Sequence, residues 1–133
     1  MNTRKIYLCG PIMDCGEDDS KTWRQQAKER LAGSFVLLDP MRRNFRDNEI
    51  DSANEIVEFD LQDIRDADIL LVNYSKPSIG TSMEVFYAAH DLGKFVIAFS
   101  PAQFQDFSPW MVRYCTKILP TLDRALEYIE RHF

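Results

Sequence analysis

Glycine and cysteine are scarce in this chain of 133 residues, with five and three copies, and histidine occurs only twice. The glycines form neither a G-x-G-x-x-G fingerprint nor a P-loop, which excludes the glycine-rich phosphate cradles read from those motifs. Cys9, Cys15 and Cys115 are odd in number and irregularly spaced. That suits a reducing compartment better than a disulfide framework and offers no metal-ligand spacing. His90 and His132 suggest no catalytic or metal pair, so neither a metal site nor a cofactor is expected. No apolar run approaches the roughly 20 residues that span a bilayer, and the N-terminal "MNTRKIYLCGP" shows no signal-peptide core. Basic charge is also in deficit: 16 Lys and Arg stand against 21 Asp and Glu, a net charge of −5. This argues against a nucleic-acid polymer or an anionic membrane as partner, while leaving room for a free nucleotide in a local pocket. The expectation is a cytoplasmic protein with one domain over residues 1–133.

What is present is a hydrophobic fraction of 45%, enough for a real core. Four short apolar runs read as strands: 5–10, 34–40, 67–74 and 94–100, with a fifth at 116–120. They are continuous rather than alternating, as strands covered on both faces are. Helical stretches fall at about 20–32, 52–66, 81–92 and 121–131. The alternation predicts an α/β, doubly wound sandwich with a mostly parallel five-stranded sheet and ligands at the carboxyl ends of its strands. The strand exits, "CGPIMDCGEDDS", "DPMRRNFRDNE", "NYSKPSIGTS" and "SPAQFQDFSPW", are all polar and loop-like.

Two carboxylates stand out. In "SANEIVEFDLQDIRDAD", Ala53, Ile56, Val57, Leu61, Ile64 and Ala67 form one apolar stripe at about 100° per residue, and Asp60 lies near its centre, with Asp63 at the edge. A carboxylate so placed needs hydrogen bonds, a cation such as Arg42, Arg43 or Arg46, or a cavity. Glu84 opens the apolar helix in "SIGTSMEVFYAAHDLGK". There "TSME" matches a capping box, with Thr81 as cap and Glu84 reaching back to its amide. The same position is a strand exit, so a nucleophile is the competing reading.

Taken together, "KIYLCGPI", "FDLQDIRDADILLV" and "PSIGTSMEVFYAAHDLGKFVIAF" closely resemble the nucleoside 2-deoxyribosyltransferase family, from residue 4 to about 115. The resemblance implies a flavodoxin-like fold and cleavage of an N-glycosidic bond in a (deoxy)nucleoside or its monophosphate. It implies Glu84 as the nucleophile that forms a glycosyl-enzyme ester, Asp60 as the assisting carboxylate at base or sugar, and Tyr7 as the residue that orients the nucleophile. Gly10, Ile12 and Met13, after the first strand, fall where the family holds the base. The chemistry is coherent: a carboxylate stabilises and then traps an oxocarbenium-like centre, and a second carboxyl group protonates the leaving base.

Ser78 stands where family members acting on free nucleosides usually carry an aspartate. "PSIGTSME" is instead similar to the 2'-deoxynucleoside 5'-monophosphate N-glycosidase branch, in which that serine holds the 5'-phosphate. A hydroxyl donates to a phosphate that an aspartate repels. Gly80 and the helix-start amides add an anion-binding terminus. In that branch a neighbouring subunit supplies a second serine; Ser108 is the match here, with Met111 beside it, so a homo-oligomer with shared sites is implied. Trp110, Met111 and Tyr114 supply apolar surface for such a contact or else cover the sheet edge. Against a phosphate stand Glu17, Asp18 and Asp19 in the first exit loop, with cationic help left to Arg42, Arg43, Arg46 or Arg113. Two other readings remain open: base exchange between free deoxynucleosides, and a non-catalytic nucleotide-binding module in which Glu84 is only a cap. A signalling domain using "EDD" for Mg²⁺ lacks the lysine it requires at a later strand end.

Overall fold

The computed structural model describes residues 3–12, 16–45 and 48–133, and only the backbone of residues 17–19 and 104. Five strands, β1 (Lys5–Cys9), β2 (Val36–Leu38), β3 (Ile69–Asn73), β4 (Phe95–Phe99) and β5 (Lys117–Leu119), form one sheet in the order β2-β1-β3-β4-β5. Every pairing is parallel. This is the flavodoxin-like order, and its switch point lies between β1 and β3. The helices are α1 (Glu17–Leu31), α2 (Ala53–Asp66), α3 (Ile79–Phe86), α4 (Pro109–Tyr114) and α5 (Leu122–His132). A π turn, Tyr87–Asp91, extends α3, and short 3₁₀ turns lie at Pro40–Arg42 and Phe104–Asp106. Among the described residues no helix is long and apolar enough to cross a membrane.

Strand alternation divides the core in two. Ile6, Leu8, Ile69, Leu71, Ile97 and Phe99 pack with Trp23, Ala27 and Leu31 of α1 and with Ala125, Leu126 and Ile129 of α5. Their neighbours Tyr7, Cys9, Leu70, Val72, Val96 and Ala98 face Ile64 of α2, Val85 of α3 and Met111 of α4. Successive strand side chains point to opposite faces, so Tyr7 and Cys9 are directed together at the α2–α3 layer. That period of two is what later brings both to Glu84.

Three local expectations are corrected. The third helix begins at Ile79 rather than 81, because Ser78 caps it: its Oγ accepts from the Thr81 amide at 3.4 Å, and its carbonyl accepts from the Ser82 amide at 3.0 Å. The capping box is therefore not formed. Thr81 lies inside the helix, and Glu84 turns inward to β1. The last strand exit, read as loop-like through Trp110, ends in a helix over 109–114 with Ser108 as its cap, accepting from the Trp110 amide at 3.2 Å, and with Pro109 at its first position. Proline is favoured there because the missing N–H has no intrahelical partner to lose. The second strand is shorter than 34–40, because Asp39 leaves it to cap the 3₁₀ turn, its Oδ1 accepting from the Met41 amide at 2.8 Å.

Candidate active site

The site is built at the carboxyl end of β1, beside the start of α3. Tyr7 is buried, and its Oη donates a 2.5 Å hydrogen bond to Glu84 Oε2. Cys9, two residues along the same strand face, directs its Sγ at Glu84 Oε1 at 3.7 Å. Both carboxylate oxygens are thus engaged from β1, and the side chain is fixed in one orientation. Burial, and next the nearby Asp60, push the Glu84 carboxyl up to about 8, although the Tyr7 and Cys9 hydrogen bonds and the Arg24 charge pull it down. Tyr7 and Cys9 are themselves raised well above their ordinary values, first by burial and then by the Glu84 charge. They serve Glu84 as donors in their protonated forms.

Asp60 reaches the site from α2. It is half-buried, and Arg43 Nη2 donates to its Oδ1 at 3.3 Å. Burial raises its carboxyl and the Arg43 charge opposes the rise, leaving it above the ordinary value. The deeper carboxylate of α2 is Asp63, not Asp60: it is 5% exposed and receives Arg42 and Arg43 at 2.7 and 2.8 Å. The helix turns Ile64 to the sheet and Asp63 to the arginines after β2, while Asp60 lines the cavity. Val57 and Phe59, one on the expected stripe and one beside it, are correspondingly 52% and 45% exposed.

A cavity of about 440 Å³ opens in front of these groups. Gly10, Ile12, Arg43, Asp60, Ser78, Gly80, Thr81 and Glu84 all line it, so the first, second and third strand exits converge there. Gly10 is required by space, since a Cβ there meets the Trp23 ring at 2.9 Å and Asn73 Cβ at 3.2 Å. Gly80 has no such constraint and offers only its backbone. Thr81 contributes a buried hydroxyl that no described group satisfies. Met13, Cys15 and Arg46 lie outside the described residues. Ser108 and Met111 do not line this cavity. They border a second groove of about 790 Å³ between α2, α3 and α4, which shares Ile56, Val57, Asp60, Gly80 and Glu84 with the first. Ser108 is exposed there, whereas Met111 is 3% exposed and belongs to the core. Arg113 borders neither cavity.

Sequence reasoning missed Cys9, Asp63 and Arg24. Arg24 is 1% exposed and donates to the carbonyls of Leu8, Gly10 and Ser20 at 3.4, 3.0 and 2.6 Å, pinning the exit of β1. Its guanidinium lies 4.7 Å from the Trp23 ring centre. The spacing of Ser20, Arg24, Ala27 and Leu31 places Arg24 on the buried stripe of α1, the same signal that singled out Asp60.

The family model for nucleoside 2-deoxyribosyltransferase matches residues 6–113. A comparison with curated protein sequences found no match. Among solved structures, the 2-deoxyribosyltransferase of the psychrotolerant bacterium Bacillus psychrosaccharolyticus is similar with a TM-score of 0.73 at 21% identity, covering 93% of this chain and 91% of that one. The CMP N-glycosidase of Clostridium botulinum gives 0.63 at 15% identity, covering 96% and 99%. A response-regulator receiver domain from Methanospirillum hungatei gives 0.62 at 11% identity, covering 98% and 93%. At these identities the solved structures establish the fold, and both signalling domains and N-glycosyl enzymes share it.

Proposed function

The chain belongs to the nucleoside 2-deoxyribosyltransferase family, enzymes acting on N-glycosyl bonds, and from that premise we propose that it hydrolyses 2'-deoxynucleoside 5'-monophosphates through a covalent glycosyl-Glu84 intermediate. The observation that carries this reading is the Glu84 carboxylate held on both oxygens by Tyr7 and Cys9, facing a cavity it shares with Asp60. In the first step a Glu84 oxygen bonds to the anomeric carbon, and the carbon–nitrogen bond breaks with its electron pair leaving on the base. Protonation of Asp60 removes the charge that helps raise Glu84, so the reacting form has Glu84 ionised and Asp60 protonated, and Asp60 gives the departing base its proton. In the second step water bonds to the anomeric carbon, the ester bond to Glu84 breaks, and Asp60 takes the proton from water.

Support for a monophosphate comes from the start of α3. Ser78 Oγ accepts from the Thr81 amide and keeps its own proton to donate. The Thr81 hydroxyl, unsatisfied among the described groups, lies beside it at the first turn of α3, where the helix dipole favours an anion although the Thr81 and Ser82 amides are themselves taken by Ser78. Ser108, exposed on the adjoining groove, is suited to complete the phosphate site of a second copy rather than its own. A homo-oligomer with shared sites follows from that reading.

One observation favours the second reading, base exchange between free deoxynucleosides. Arg42 and Arg43, at the second strand exit, are engaged by Asp63 and Asp60, which limits the positive charge available to a phosphate. A panel of nucleosides and 5'-monophosphates, incubated with and without an acceptor base and followed by chromatography, separates the two. Base release from monophosphates alone supports hydrolysis, and exchange between free nucleosides overturns it.

A further inference from the structure

The arginine pair after β2 is ion-paired, with the Arg43 side chain 18% exposed and that of Arg42 45% exposed. Asp63 bridges it from beneath: Oδ1 receives Arg42 Nη2 at 2.7 Å and Oδ2 receives Arg43 Nη2 at 2.8 Å. Arg42 also donates from Nη1 to the Asp39 carbonyl at 2.8 Å, which fixes the 3₁₀ turn. Arg43 is anchored further by Phe59, its guanidinium lying 5.0 Å from the ring centre, and Phe45 stacks on that ring at 6.4 Å. From this anchorage the same Nη2 that binds Asp63 extends to Asp60 Oδ1 at 3.3 Å, at the cavity wall. Two side chains, Asp63 and Phe59, thus hold Arg43, and Arg43 holds the carboxylate assigned above to proton transfer.

We propose that Arg43 is the positioning residue for Asp60: anchored by Asp63, it fixes the Asp60 carboxylate at the cavity and stabilises the anion left when Asp60 gives up its proton. The inference rests on the glycosidic reading of Glu84 and Asp60. Its physical basis is that a half-buried carboxyl group beside a second carboxylate resists ionisation, and a fixed guanidinium at hydrogen-bond distance offsets that resistance. The other groups that act on Asp60 are Asp63 on its own helix, Glu84 from α3, Tyr7 and Cys9 from β1, and Arg24 from α1. Among the described residues Arg24 and Arg43 favour its charged form, and of these two Arg43 is the one that bonds to it. Burial raises Asp63, but its bonds to Arg42 and Arg43 hold it below the ordinary carboxylate range, as an anion suited to orienting Arg43.

The test uses protein carrying ¹³C-labelled aspartate, with the Asp60 carboxyl resonance assigned by its loss in Asp60→Asn. In Arg43→Gln the Asp60 titration moves to higher pH. In Arg43→Lys, which keeps the charge but cannot bridge two carboxylates, it moves in the same direction by less. An unchanged or lowered titration in a folded Arg43→Gln protein overturns the proposal. If Arg43→Gln does not fold, Arg43→Lys decides by the same criterion. In parallel, kcat/KM for base release falls roughly tenfold to a hundredfold in Arg43→Gln, a part of what a positioned general acid supplies. The pH profile moves upward with it; a fall in kcat/KM with an unmoved profile assigns Arg43 to substrate contact and overturns the positioning role. A wild-type protein that releases no base from any nucleoside or monophosphate defeats the glycosidic reading, while the resonance titration still judges the Arg43–Asp60 relationship.

Discussion

Tyr7 Oη and Glu84 Oε2, 77 residues apart in sequence, are joined by a 2.5 Å hydrogen bond beneath the floor of the cavity. The bond exists because β1 turns Tyr7 to the α2–α3 layer and because α3 starts early enough to aim Glu84 back at the sheet. It changes what the glutamate is. A capping glutamate satisfies a helix amide and has no need of a buried phenol. This one is held by two side-chain donors from another element, an arrangement that suits the nucleophile proposed above.

Replacing Glu84 by Gln abolishes base release and leaves a folded protein, because the amide retains the shape and can still accept from Tyr7. Tyr7→Phe removes one orienting donor and lowers kcat by about tenfold to a hundredfold, equivalent to ~1.4–2.7 kcal/mol of barrier. Cys9→Ala has the smaller effect, since a thiol is the weaker donor. The measurement is steady-state base release with circular dichroism as the folding control. Unchanged turnover in Glu84→Gln, with the product confirmed, rules out the covalent mechanism.

Stability carries an independent signature of the same carboxylate. Glu84 titrates near 8 in the folded protein, above the ordinary 4.5 it takes in the unfolded chain. The folded state therefore binds its proton more tightly, and the contribution is fully present below pH 4.5. It is lost as pH rises from there through about 8. Glu84→Gln, which never ionises, should match the wild type near pH 4 and melt roughly 3–8 °C higher at pH 8.5, an effect of a few kcal/mol at most. Differential scanning calorimetry across that range reads it. A wild-type advantage at pH 8.5 contradicts the burial of an uncompensated charge at this position.

Continuous apolar runs identified four strands, because a parallel sheet covered on both faces leaves few polar positions, and the short, half-exposed fifth was read only as a possible strand. Asp60 was visible because a charge on an apolar stripe breaks a pattern. Cys9 was not, since a buried thiol looks like any small apolar core residue. Asp63 sat one position off the stripe, and only the tertiary meeting of α2 with the Pro40–Arg42 turn buries it between Arg42 and Arg43. The α3 cap was misassigned because Thr81 and Ser78 both precede the apolar run, and local pattern does not say which one leaves the helix. The helix at 109–114 was hidden by Ser-Pro, which marks a turn or a helix start equally well.

Ser78 offers a substitution that separates its two roles. Aspartate is as good an N-cap as serine, so Ser78→Asp leaves α3 and the melting temperature unchanged. It also places a negative charge beside the start of the cavity, which raises KM for a monophosphate at least about tenfold and leaves free nucleosides unaffected or improved. Ser78→Ala has the opposite profile, losing ~1 kcal/mol of stability with the cap and raising KM less. Competing nucleoside and monophosphate assays on both variants, read with thermal melts, decide it. Equal KM changes for the two substrate classes remove the phosphate from the assignment.

The shared-site oligomer yields the sharpest complementation test. Trp110 and Met83 are each 68% exposed beside the larger groove, and Val57 on the facing helix is 52% exposed. This is the apolar surface that the proposed contact would cover. Trp110→Asp is expected to yield a monomer by sedimentation, with base release from monophosphates lost alongside. If Ser108 serves the partner's site, then Glu84→Gln and Ser108→Ala copies, each weak alone, recover activity when mixed and refolded together. In a mixed dimer one copy supplies Glu84 and the other supplies Ser108, which restores one intact site. Random pairing then gives roughly a quarter of wild-type turnover, because half the dimers are mixed and each holds one working site of two. Activity that only averages the two variants places Ser108 outside the partner's site and leaves it as the cap of α4.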